Sequence, residues 1–121
     1  MAEHNILGKN GENKAETYLI SKGFKILERN WHSSHREIDL IAEDKGWLVF
    51  VEVKTRMSNH IAHPVEAVHG KKIHYLIQAA NHFIHLKGID LPVRFDVVSI
   101  IFDKNTWEIE HFEDAFLPPY R

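Results

Sequence analysis

Asp39, Glu52 and Lys54 are the residues of this chain whose types and spacing could do chemistry. Glu52 and Lys54 end the stretch opened by Leu48-Val49-Phe50-Val51, an apolar run of the kind that forms a buried strand. A charge there is costly unless it is paired or bound to a cation. Hydrolysis of a phosphodiester asks for such a set, because an anionic centre and a water must be brought together and a divalent cation must neutralise the one and activate the other. The carboxylates of Asp39 and Glu52 are hard oxygen ligands suited to Mg²⁺ or Mn²⁺, and the backbone carbonyl of Val53 offers a third. Lys54 can orient the attacking water or stabilise charge developing in the transition state. A Glu-x-Lys pair alone more often marks a solvated strand face. The buried strand and the neighbouring Asp39 set this pair apart.

Those roles require Asp39 to meet Glu52 across a strand pair. Side chains alternate along a strand, so Glu37, Asp39 and Ile41 are expected on one face and Ile38, Leu40 and Ala42 on the other. Leu48, Phe50, Glu52, Lys54 and Arg56 share a face of the next strand. A two-residue loop at Lys45-Gly46 pairs Asp39 with Glu52 directly, with Cβ atoms about 5 Å apart. A four-residue loop at Glu43–Gly46 pairs Asp39 with Phe50 and leaves Glu52 one diagonal step away, about 7–8 Å. A three-residue loop turns Asp39 to the wrong face. The hairpin register therefore decides whether the site exists.

The elements that must carry these residues are legible in outline. A helix is expected from about Gly8 to Lys22, with Ala15, Tyr18 and Leu19 on one stripe and Gly23 just past its end. Strands follow at Phe24–Trp31, Glu37–Ala42 and Trp47–Arg56. Gly70 to Lys87 is a second helix, with Ile73, Leu76, Ile77, Ala80, Phe83 and Ile84 on one face and Gly88 closing it. Val93–Phe102 and Trp107–Phe112 make a last strand pair. The order α-β-β-β-α-β-β, with apolar stripes on both helices that need a sheet to cover, gives an α/β layered domain. Residues 1–121 read as one domain with an ordered core of about 8–112 and a tail at 113–121.

Several other residues can be given roles. Glu12 lies three residues before Ala15 and seven before Leu19, on the stripe facing the sheet. It either joins the metal cluster or complements the dipole near the start of the first helix. Glu37 is either an outer ligand or a strand-end charge. Lys71 and Lys72, in the first turn of the second helix, are candidates for contact with a DNA backbone or are simply solvated. Arg56 and Arg36 are candidates for the same backbone, and Arg94 and Asp96 share a strand face and can pair. His60-x-x-His63 and His82-x-x-His85 have possible ligand spacing, but with no third ligand nearby they are assigned no site.

Composition sets the outer bounds. The 121 residues are 44% hydrophobic and 26% charged, a globular balance. There are no cysteines, which excludes disulfides and thiolate-held zinc. The N-terminus lacks the pattern of a secretion signal, and the longest apolar run, Trp47–Val51, is far short of a membrane span, so a cytoplasmic location is expected. The net charge of −2 does not by itself suggest a nucleic-acid partner. Its distribution is uneven: residues 103–114 hold five acidic residues against Lys104, while residues 1–102 carry 13 Lys or Arg against 12 Asp or Glu. With Glu12, Glu37, Asp39 and Glu52 on cations, that longer stretch presents a positive surface.

Asp39 followed by Glu52-Val53-Lys54 after an apolar strand resembles the PD-(D/E)xK nuclease signature. More closely, the chain resembles the YraN-like uncharacterised bacterial family. The likeness rests on Gly8-x-x-Gly11-Glu12-x-x-Ala15-x-x-Tyr18-Leu19-x-x-x-Gly23, then Glu37-Ile38-Asp39-Leu40-Ile41-Ala42, Val49-Phe50-Val51-Glu52-Val53-Lys54-x-Arg56 and Arg94-Phe95-Asp96-Val97-Val98. The match covers nearly the whole chain. It implies a restriction-endonuclease-like three-layer core with a mixed sheet, similar to that of archaeal Holliday-junction resolvases. It also implies Asp39, Glu52 and Lys54 as the catalytic core with Glu12 as the helix-borne acid, and by analogy a homodimer acting on DNA, branched or damaged. Ile38 stands where the signature has proline, and Arg36 and Ala62 where glycine is expected. A non-catalytic nucleic-acid-binding module on the same fold is the alternative.

Overall fold

The computed structural model describes residues 2–34, 36–58 and 70–115. Seven elements follow one another: α1 (Ala2–Ser21), β1 (Lys25–Ser33), β2 (Arg36–Asp44), β3 (Trp47–Met57), α2 (Gly70–Lys87), β4 (Val93–Asp103) and β5 (Thr106–Phe112). The expected order holds, and α1 starts six residues earlier than the stripe suggested.

The five strands form one sheet in the order β1-β2-β3-β4-β5. All neighbours are antiparallel except β3 and β4, which run parallel because α2 carries the chain back across the sheet. The sheet is therefore mixed, and a helix covers each face. On one face Ile73, Leu76, Ala80 and Phe83 of α2 pack on Ile38, Ile41, Leu48, Phe50 and Val97. On the other, Ala15 and Leu19 of α1 pack with Leu40, Ala42, Val49, Val51, Val98 and Ile100. Every strand residue from Leu48 to Val51 is buried, as a central strand covered on both faces requires.

Helix α1 buries a narrow stripe of small residues. Gly11, Ala15 and Leu19 are buried, whereas Ile20 on the far side is 53% exposed. The absence of a side chain at Gly11 lets the helix lie directly on β3: a Cβ there would overlap Thr55 Oγ1. The helix ends in a Schellman motif, with Phe24 N–H on Leu19 O at 3.0 Å and Gly23 N–H on Ile20 O at 3.0 Å. Gly23 adopts the φ of +96° that this motif demands. At the β2–β3 hairpin, Asp44 pairs with Trp47, so the loop is the two residues Lys45 and Gly46, both at positive φ (50° and 86°). That is the geometry of the tight turn that matches strand twist.

His60, Ala62, His63 and the segment 116–121 lie outside the described residues, as does the side chain of Lys71. No helix among the described residues is long and apolar enough to cross a membrane.

Candidate active site

The hairpin register brings the two acids to the same level. The ladder runs from Asp44↔Trp47 to Leu40↔Val51, and one step further would place Asp39 opposite Glu52. That step is not a ladder pair. Instead the Val53 backbone N–H donates to Asp39 Oδ2 at 2.8 Å, so a side chain takes the place of a backbone carbonyl where β2 and β3 part. A carboxylate thus satisfies an amide that would otherwise be orphaned inside the sheet.

Simple alternation fails at this point, and the expectation that Glu37, Asp39 and Ile41 share a face is corrected. Ile38 packs with Ile41 on the α2 side, while Leu40 lies in the α1 core. The partner strand flips at the same level. Trp31 stacks edge-on against Phe83 of α2, whereas Arg29, two residues earlier, pairs with Glu16 of α1 at 2.7 Å. Asn30 lies between them in the left-handed region, φ 47°, which an Asn tolerates better than most residues. The flip turns Glu37 toward α1. With its amide nitrogen facing them, Asn30 donates to Glu37 Oε2 at 3.1 Å and Glu12 Oε1 at 3.2 Å. Asn30 was not singled out in the sequence. An Asn in a strand, one register step from an acid, is the only local signal it leaves.

Glu52 is buried, with its side chain 6% exposed, and faces α2. Two cations approach its Oε2: Lys54 Nζ at 3.4 Å and Lys72 Nζ at 3.5 Å. Lys72 therefore belongs to the site rather than to a remote backbone-binding surface. Beside Lys54 in the parallel ladder is Ser99, whose buried hydroxyl has no hydrogen-bond partner among the described residues. Arg56 is half-buried two residues beyond Lys54 on β3. Arg36 begins β2 and lies 5.6 Å from the Tyr75 ring centroid.

The carboxylates perturb one another. Asp39 is pushed up to about 8, first by burial and then by the charge of Glu52, with Glu12 and Glu37 adding to the rise and the Val53 N–H opposing it. Glu12 is also raised, chiefly by burial, against the Asn30 hydrogen bond. The four acids thus share one electrostatic environment. Among the described residues, no three Asp, Glu or His side chains converge as a ready-made ligand cage. The donor chemistry is that of Mg²⁺, which takes one or two carboxylates and fills its remaining positions with water and phosphate oxygens.

A separate polar cluster lies on the α1 face toward the β2–β3 turn. Asp96, wholly buried, accepts from Arg94 Nε at 2.9 Å and from the Asp114 N–H at 3.0 Å, and His111 Nε2 lies 2.8 Å from its other oxygen. Arg94 also reaches Asp44 at 3.2 Å, and Tyr18 Oη is 3.3 Å from His111 Nδ1. The expected Arg94–Asp96 pair is present, tied to α1, to the hairpin turn and to the residues after β5. Here every partner is protein, which makes the cluster a clamp between elements. His82 and His85 are exposed on α2 and bond to Ser33 and to the Asn81 carbonyl respectively.

Residues 11–100 match the model of the uncharacterised protein family UPF0102. The chain belongs to that family. A UPF0102 protein of Phocaeicola vulgatus is 44% identical over 119 residues, 98% of each chain. One of Bacteroides thetaiotaomicron is 46% identical with the same coverage, and one of Parabacteroides distasonis is 43% identical over 121 residues, the whole of both chains. The UPF0102 match spans Glu12, Asn30, Asp39, Glu52, Lys54 and Lys72 together with Asp96.

Proposed function

We propose that this UPF0102 chain is a Mg²⁺- or Mn²⁺-dependent endonuclease that hydrolyses DNA phosphodiester bonds on a restriction-endonuclease-like core of the PD-(D/E)xK type. The observation that carries the reading is the meeting of Asp39 and Glu52 at the point where β2 and β3 part, with Asp39 held near 8 by burial and by its neighbour. A buried carboxylate pair of this kind is unfavourable at neutral pH, and a divalent cation is the natural relief.

Asp39, Glu52 and the Val53 carbonyl would hold that cation, with Glu12 reaching it from α1 directly or through water. The cation, when bound, supplies charge neutralisation of the phosphate and an acidified water. Lys54, now pairing with Glu52, stands where it can orient the water or meet the developing negative charge. Asn30 keeps Glu12 and Glu37 in place. Arg36, Arg56, Lys71 and Lys72 are the proposed contacts to the DNA backbone. A cytoplasmic enzyme acting as a homodimer, able to cut two strands of a branched or damaged DNA, fits this reading.

A second reading is a nucleic-acid-binding module without catalysis. It draws on the two lysines at Glu52, which already offset that charge without a metal. Incubation with linear, nicked, flapped and four-way DNA, in Mg²⁺, Mn²⁺ or EDTA, separates the two. Metal-dependent cleavage lost in Asp39→Ala and in Lys54→Ala, both still folded, supports the enzyme. Cleavage that survives both substitutions overturns the assignment, and binding without cleavage in every metal favours the module.

A further inference from the structure

On the α2 side the carboxylates are bordered by a recess of about 230 Å³ lined by Arg36, Glu37, Lys72, Tyr75 and Leu76. We propose that Arg36, Lys72 and Tyr75 form a subsite for one unpaired nucleotide beside the scissile phosphate, so that the preferred substrates are DNAs with single-stranded character at the cut. This rests on the nuclease reading above and gives it a substrate class.

Lys72 connects the recess to the proposed chemistry, since its ammonium is 3.5 Å from Glu52 Oε2. Tyr75 follows it by nearly one helical turn, on the same side of α2. The Tyr75 residue is 39% exposed, an unusual position for a large aromatic surface so close to a cluster of charges. Its ring is backed by the Arg36 guanidinium, 5.6 Å from the centroid. The Arg36 Nε is buried with no hydrogen-bond partner among the described residues. The ring therefore stands in for the acceptor an arginine normally takes, and the positive charge is kept at the recess without being neutralised there.

An aromatic face backed by a cation, next to a lysine at the catalytic carboxylates, is suited to a nucleobase with its phosphate attached. In a duplex the bases stack on one another and offer no face to the ring. Only an unpaired nucleotide can lie on Tyr75. Lys72 and Arg36 would fix the backbone without reading sequence, so the recess selects DNA structure and not base identity.

The test is equilibrium binding of the full chain in EDTA, where cleavage is off, to a single-stranded oligonucleotide, a flapped duplex and a blunt duplex of matched length. In a second arm, 2-aminopurine is placed at the nucleotides flanking the flap junction. Tyr75→Ala should weaken single-stranded and flapped binding roughly ten-fold, within the range that base–aromatic stacking contributes, and change blunt-duplex binding less than two-fold. Tyr75→Phe should restore binding and the quenching of one 2-aminopurine position. Equal loss on all three DNAs, loss that Phe does not restore, or no loss overturns the subsite; a thermal melt of each variant excludes misfolding. Ring-dependent binding with no cleavage in any metal leaves the subsite standing while the nuclease reading falls. Metal-dependent cleavage with no ring dependence does the reverse.

Discussion

The carboxylate of Asp39 occupies the position of a ladder carbonyl, accepting the Val53 N–H at 2.8 Å at the level where Asp39 would otherwise pair with Glu52. The contact fixes an acid inside the sheet, and it makes the local fold and the local charge balance one problem. Burial and the Glu52 charge raise Asp39 to about 8 from an ordinary 3.8. The folded form therefore binds more protons than the unfolded chain between those values, and this group lowers stability as pH rises across them.

Asp39→Asn keeps the acceptor for Val53 and removes the charge. In EDTA the variant should be more stable than the parent at pH 9 by on the order of a few kcal/mol, and nearly equal to it at pH 4. Urea denaturation across that range measures this. Mg²⁺ should raise the midpoint of the parent at pH 8 and leave Asp39→Asn unmoved. A parent insensitive to Mg²⁺ and Mn²⁺ at millimolar concentration would remove the proposed cation.

Lys54 and Lys72 both touch Glu52, yet they should separate in function. Lys54→Ala is expected to lower cleavage by at least about 100-fold with DNA affinity little changed, because its contribution is to the transition state. Lys72→Ala should mainly weaken binding and reduce the slope of log affinity against log salt by about 1, as loss of one phosphate contact does. Single-turnover rates and titrations at several salt concentrations check both.

Asn30→Gly retains access to positive φ and deletes the amide that joins Glu12 to Glu37. The expected result is a cleavage rate reduced about ten-fold or more, with stability within about 1 kcal/mol of the parent. Asn30→Ala should lose both, since alanine resists the left-handed backbone. Rates and melts of the two variants side by side distinguish positioning from simple destabilisation.

Gly11→Ala places a methyl against the Thr55 side chain, one residue past Lys54. A cost of about 1–3 kcal/mol is expected, as for overpacking of a tight contact. Thr55→Ala removes two of the three atoms in the way and should recover part of that cost in the double variant, a non-additivity that a denaturation cycle detects.

The Asp96 clamp predicts the opposite pH behaviour to Asp39. Burial works to raise its pKa, but the hydrogen bonds from His111, Arg94 and the Asp114 amide, with the Arg94 charge, outweigh it and lower the value. A lowered folded pKa means the stabilisation is present above the ordinary 3.8 and is lost as pH falls through the folded value. Asp96→Asn should cost roughly 3–5 kcal/mol at pH 7 by leaving Arg94 without its buried partner. The difference from the parent should narrow in strong acid, where both side chains are uncharged.

Much of the fold and the residues of the site were legible in the sequence. Apolar periodicity located both helices and all five strands, because burial against a sheet imposes a 3.6-residue period on a helix and a run or an alternation on a strand. Residue type singled out Asp39, Glu52 and Lys54, because acids and a lysine beside a buried central strand need a reason to be there. The even-length hairpin loop was one of a few options that the sequence left open, and the structure selects Lys45-Gly46.

What the sequence did not determine is how the acids reach one another. Strict alternation was the available rule, and the paired flip at Asn30 and Asp39 breaks it, sending Ile38 and Leu40 to opposite cores. A left-handed residue in one strand and a side-chain acceptor in the other are compensations between strands, so neither strand alone reveals them. The same holds for Lys72, which is 20 residues after Glu52 in the chain and 3.5 Å from it in space. It holds too for Tyr18 and His111, brought together only because α1 crosses the end of β4 and β5. Periodicity and chemistry are local and can be read along a chain, whereas the Asp39–Val53 contact that opened this account depends on two strands separating at one register position, which tertiary packing decides.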